Sequence, residues 1–305
     1  MKKPLSNIIF LLAAIFFVGL PCVAAAEDPA DIVIPFNRAG NLILIKGKAD
    51  STEGNFILDT GAPGLVLNIT YFRNYPTIST EERNGVTGSV GTALQTNVEH
   101  FSFEGINFYR TKADLISLGH LEDSKKIKIL GLIGLSFFKN AEMIIDYEKS
   151  LLYLHFYNGK DKKEYQHQML KDPSDYKTVP IDIIENKIVT YTKLAGRKLK
   201  FIIDTGAESN LLDTRLPNKI FENIIITSRT SITGTGNKKV EALYGDMKNM
   251  KIGDEDIGSL PVVITNLENA CISTMCCVDG MLGFDFLSLH KIGFNFVKQE
   301  MYIWK

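Results

Sequence analysis

The 305-residue sequence has no Gly-x-Ser-x-Gly elbow, no His-Glu-x-x-His pair and no Gly-x-x-x-x-Gly-Lys loop. These absences remove the usual serine-hydrolase, zinc-peptidase and phosphate-cradling arrangements. Its five histidines are scattered, and none has another four positions on. The net charge is −1, so there is no basic surplus for nucleic acid or an anionic membrane surface. Cysteine is scarce, with four in all. Long helical periods are scarce too. The apolar run Ile8 to Leu20 is short of the ~20 residues that a membrane span requires.

What is present at the N-terminus is a leader pattern. Lys2 and Lys3 precede that apolar run, Pro21 breaks it, and Ala24-Ala25-Ala26 offers small residues for cleavage. Residues 1–26 are therefore expected to be a signal peptide, with Cys22 discarded in it. The mature chain is expected to be exported, periplasmic or secreted, without a lipid or N-terminal anchor and without a span after cleavage. An export route permits disulfides. Cys271 bridged to Cys276 or Cys277 is the plain structural reading. No histidine lies near these cysteines to complete a metal ligand set.

The dominant feature is a tetrapeptide that occurs twice, Asp59-Thr60-Gly61-Ala62 and Asp204-Thr205-Gly206-Ala207. Each follows a run of three apolar residues, Phe56-Ile57-Leu58 and Phe201-Ile202-Ile203. Such a run reads as a strand that delivers a carboxylate to a tight turn, where glycine avoids a side-chain clash. Other landmarks repeat in the same order. Ile34-Pro35-Phe36 corresponds to Val179-Pro180-Ile181, 145 positions on, the same offset that relates the two aspartates. Val86-Thr87-Gly88-Ser89 corresponds to Ile232-Thr233-Gly234-Thr235 at an offset of 146, and Gly134 to Gly283 at 149. Four landmarks at nearly constant spacing imply a tandem duplication.

Within each copy, runs such as Leu42–Ile45, Ile188–Tyr191, Phe101–Phe103, Ile106–Phe108 and Val262–Ile264 are strand-like. Turns are expected at Glu53-Gly54-Asn55 and Ala195-Gly196-Arg197. Short helical turns are expected at 136–140 and 285–289. Many short strands separated by glycine turns argue for an all-β, barrel-like architecture. The polar stretch 158–177 is expected to link the copies. Domains are thus expected at 27–157 and 178–305.

Two nearby carboxyls cannot both ionise easily, so one can act as base while the other acts as acid. At this point the chain resembles the aspartic peptidases of the pepsin and retropepsin type. The resemblance rests on the two Asp-Thr-Gly-Ala runs and on Ile133-Gly134 and Leu282-Gly283, the apolar-glycine segments that pack beside the catalytic turns in that family. It implies two tandem retropepsin-like barrels forming a bilobal pseudo-dimer. It also implies an endopeptidase dyad of Asp59 and Asp204 in the cleft, and no metal or organic cofactor. Thr60 and Thr205 are expected to bond across the halves, with Gly61, Ala62, Gly206 and Ala207 supporting the site. Thr87, Gly88, Thr233 and Gly234 are flap candidates. The implied partner is a peptide or protein substrate, met by a monomer. A homodimer pairing each copy with its equivalent on another chain is the alternative assembly. A catalytically weak or inactive peptide-binding protein is the alternative function. Asp146, Asp213 and Asp285 are expected to be turn or surface carboxylates. The family's retroviral members often carry an acidic residue soon after the tetrapeptide; Pro63 and Glu208 follow the two copies here, so the cleft is expected to be asymmetric.

Overall fold

A computed structural model describes residues 32–85, 88–158, 165–233, 239–268 and 277–305, with the backbone alone for those of 81–92 that it includes. The leader, Thr87, Gly234, Cys271 and Cys276 fall outside the described residues. Cys277 is disulfide-bonded. Among the described residues, no helix is long and apolar enough to cross a membrane.

Among the described residues the fold is almost entirely β, arranged in three sheets. An eight-stranded sheet contains strands from Asn37–Ala39 to Gly131–Ile133, and Leu42–Ala49 also pairs with Gly88–Phe103, which curls the sheet back on itself. A ten-stranded sheet contains strands from Asp182–Ile184 to Gly280–Leu282. The third, six-stranded sheet takes its strands from both ends of both copies. Its order is Ile32–Pro35, Leu151–Phe156, Ala141–Asp146, Ile292–Asn295, Glu300–Trp304 and Tyr176–Pro180. This order has the same strand roles from either edge. At its middle, Ile144 faces Gly293, its own counterpart 149 positions on. The largest apolar cluster joins all three sheets, including Ile34, Phe56, Met143, Phe201 and Phe294.

The two turn-bearing strands end alike. Thr52–Leu58 runs parallel to Gly131–Ile133, with Leu58 opposite Ile133. Arg197–Ile203 runs parallel to Gly280–Leu282, with Ile203 opposite Leu282. The residues Phe56 to Leu58 and Phe201 to Ile203 are all buried. Burial on both faces suits the uninterrupted apolar runs that precede each aspartate.

The turn expected at Glu53-Gly54-Asn55 lies earlier. Asp50 and Ser51 make it, and Glu53 to Asn55 belong to the strand. Gly54 is there for space, because a Cβ would come within 2.7 Å of the Leu130 side chain. A glycine inside a strand can mark close packing as well as a turn. The turn at Ala195-Gly196 is where the sequence put it. The two short helical turns are Leu135–Phe138 and Phe284–Leu287, each one residue earlier than expected at its start. The helix Gly119–Lys125 had no sequence signal. In the polar stretch between the copies, Lys171 to Asp175 are exposed, while Leu170 and Tyr176 pack with Tyr302.

Candidate active site

Each aspartate is placed by two backbone bonds. Asp59 N–H donates to the Ile133 carbonyl and Asp204 N–H to the Leu282 carbonyl, both at 3.0 Å. The turns then close locally, with Ala62 N–H on Asp59 O and Ala207 N–H on Asp204 O. Gly134 and Gly283 pass so close behind these turns that a Cβ would strike the backbone of 62–64 and 207–209 respectively. The apolar-glycine segments are thus held against the turns by sterics as well as by hydrogen bonds.

The turns meet through their threonines. Thr60 N–H donates to Thr205 Oγ1 and Thr205 N–H to Thr60 Oγ1, both at 3.0 Å. Each hydroxyl also donates to the opposite strand, Thr60 Oγ1 to Ile203 O at 3.0 Å and Thr205 Oγ1 to Leu58 O at 2.8 Å. Both side chains are essentially inaccessible, at 0% and 1% exposure. Buried polar groups need such partners, so the four bonds lock the two turns in one relative position.

That lock brings the carboxyls together. Gly61 N–H lies 2.9 Å from Asp59 Oδ1 and 3.1 Å from Asp204 Oδ1. Ala62 N–H adds a second bond to Asp59 Oδ1, and Gly206 N–H a second to Asp204 Oδ1. A Cβ on Gly61 would collide with the Asp204 carboxyl, and one on Gly206 would lie 2.5 Å from Asp59 Cγ. Only glycine leaves each carboxyl room against the opposite turn. Burial, foremost, then the charge and hydrogen bond of Asp204 hold the Asp59 carboxyl well above the ordinary carboxylate range, while Lys187 and the Ala62 N–H pull it down.

Charged neighbours differ on the two sides. Lys187 Nζ donates to Gly61 O at 2.8 Å. On the other side, Glu208 pairs with Lys125 at 2.5 Å and accepts from Asn41 N–H. Burial, and then the charge of Asp204, push the Tyr147 phenol up, and among the described residues its hydroxyl has no hydrogen-bond partner. Arg38, from Asn37–Ala39, lies 4.6 Å over the Phe284 ring and acts on Tyr147 in the opposite sense. Asn210, fully buried, accepts from Gly283 N–H and donates to Pro261 O.

The other expected residues occupy strands, turns and a short helix. Gly88 begins a strand and Thr233 ends one; Thr233 is exposed. Asp146 and Asp213 act as turn acceptors, for Lys149 N–H and Arg215 N–H, but both are buried rather than on the surface. Asp285 is half-buried and accepts from Asn210 N–H. Lys187, Tyr147, Arg38 and Asn210 were not identified from sequence. A usable signal existed for Lys187: it stands just after Asn186, where the first copy has Asn41 and then apolar Leu42.

A family model described as aspartyl protease matches residues 190–286. The match takes in Asp204-Thr205-Gly206-Ala207 and Leu282-Gly283. Together with the all-β architecture, the match supports a retropepsin-like aspartyl protease domain at those residues. No curated protein matches the chain.

Proposed function

We propose that the chain is an aspartic endopeptidase whose dyad is Asp59 and Asp204, set in a cleft between two retropepsin-like lobes, 27–157 and 178–305. The observation that carries this reading is the shared amide: one N–H, that of Gly61, lies within hydrogen-bond distance of both carboxyls. Carboxyls so placed hold one proton between them. The ionised partner takes a proton from a water as its oxygen attacks the peptide carbonyl, and the protonated partner donates to the carbonyl oxygen. The tetrahedral species then collapses as the C–N bond breaks. The leaving nitrogen takes one proton, the gem-diol gives one back, and the pair again shares a single proton. An extended peptide suits such a cleft because strand-like backbone bonds hold it without regard to sequence. The leader pattern of residues 1–26 supports export of the mature enzyme.

The test is cleavage of an unfolded protein across a range of pH by wild type, Asp59→Asn and Asp204→Asn. Each variant is expected to lose on the order of 10³-fold or more in kcat/KM, near the upper part of the range for acid–base catalysis. Full activity in either would refute the dyad. Binding of a peptide without cleavage by wild type would favour a peptide-binding protein instead. N-terminal sequencing of the exported chain should find a start near Glu27; an intact Met1 in the mature protein would refute the leader.

A further inference from the structure

The carbonyl of Gly61 faces away from the carboxyl pair, yet it is tied to it through one peptide unit. Lys187 Nζ donates to that carbonyl at 2.8 Å. The other end of the same peptide unit is the Ala62 N–H, which donates to Asp59 Oδ1 at 3.0 Å. A cation on a carbonyl polarises the peptide and strengthens donation from its N–H, because hydrogen bonds in series reinforce one another. Lys187 therefore acts on Asp59 both through space and through the 61–62 peptide. Its charge opposes the burial and the Asp204 repulsion that push Asp59 upward.

The arrangement crosses the repeat. Lys187 opens the strand Lys187–Leu194 of the second copy, yet it serves the turn of the first. The corresponding residue of the first copy is Leu42, buried and apolar. Among the described residues, several neighbouring charges have partners of their own. Glu208 is paired with Lys125, and Arg38 lies on Phe284. Asp285, on Phe284–Leu287, is bonded by Asn210 N–H. Tyr147 is the phenol beside Asp204. Asp182 and Glu185 are the acids of the hairpin that carries Lys187.

We propose that Lys187 is a positioning residue that sets the working pH of the carboxyl pair: its ammonium, fixed on the Gly61 carbonyl, favours the singly ionised pair and extends activity toward lower pH. This rests on the dyad reading above. Loss of the cation disfavours each ionised form more than the form before it, so both limbs of a bell-shaped pH–activity profile should move upward.

The experiment compares wild type, Lys187→Met and Lys187→Arg in two readouts. The first is the pH profile of kcat/KM on an unfolded protein substrate. Lys187→Met should shift both limbs up by about one pH unit, at the low end of the effect of an opposite charge within a few Å, and Lys187→Arg should stay near wild type. The second is a carbon-13 NMR titration of the labelled aspartate carboxyls, with Asp204→Asn used for assignment; it reads the same shift whether or not peptide is cleaved. An unmoved carboxyl titration in Lys187→Met, or Lys187→Arg displaced as far as Lys187→Met, would overturn the proposal. An inactive wild type whose carboxyl titration still moves in Lys187→Met would sink the peptidase reading and leave the role of Lys187 standing. Melting of each variant separates a charge effect from loss of the fold.

Discussion

The two Asp-Thr-Gly-Ala turns share one chemistry and have different surroundings. Their backbone bonds match nearly atom for atom, from the aspartate amides on Ile133 and Leu282 to the reciprocal threonine bonds. Around them, counterparts diverge: Pro63 against Glu208, Leu65 against Asn210, Tyr147 against Phe296, and Leu42 against Lys187. What is common to both halves is the set of bonds that lock one turn to the other. What differs is the layer behind, where each side can be adjusted without disturbing the lock.

Gly61→Ala and Gly206→Ala should break the common part most sharply. Each Cβ would displace the opposite carboxyl. A shift of about 1 Å in a reacting group costs on the order of 10² in rate. We expect losses of that size or more in kcat/KM for both, with the fold retained by circular dichroism. If one alanine variant kept full activity, the equivalence of the two turns would fail.

Thr60→Val and Thr205→Val should come next. Each strands one carbonyl and one N–H of the opposite half in a fully buried place. The cost is about 1–3 kcal/mol for each stranded group. Urea melts should show similar destabilisation for the two, and serine at either position should restore most of it. A marked difference between Thr60→Val and Thr205→Val would mean that the halves carry unequal shares of the lock.

Asp59→Asn should raise stability at neutral pH while removing activity. The folded carboxyl is held above its unfolded value, which is near 3.9. In the window between those two values the native state binds more protons than the unfolded state. Stability therefore falls as pH rises through that window. Asparagine removes this loss, so the melting temperature at pH 8 should rise by about 2–4 °C for each kcal/mol relieved. At pH 3, below both values, the difference should vanish. Equal melting of variant and wild type at pH 8 would contradict the upward push.

Glu208→Gln should have the smallest effect. Its bond to Lys125 is partly solvent-exposed, with 37% of the Glu208 side chain accessible. Exposed ion pairs contribute less than about 1 kcal/mol. Thermal melts should show little change. A large loss would make the second turn dependent on its charged neighbour in a way the first, with Pro63, cannot be.

The strands were largely legible because alternating or fully apolar runs report burial directly, as at Leu42–Ala49 and Phe201 to Ile203. The aspartates and threonines were legible because the same four residues recur behind the same kind of strand. Gly54 was misread as a turn, since a glycine does not say whether it is needed for a backbone angle or for space beside Leu130. Asn210 and Tyr147 gave no local sign, because their partners lie on other strands and beyond the nearest turns.

Short-range chemistry alone was enough to specify two equivalent acidic turns, each behind a buried strand and each needing glycine. It could not say that Gly61 N–H would serve both carboxyls, or that a lysine of the second copy would cap the Gly61 carbonyl of the first. Those contacts join residues 126 to 143 positions apart. Hydrogen bonds and Coulomb forces act over a few ångströms of space, and only the packed sheets decide which distant residues come within that reach.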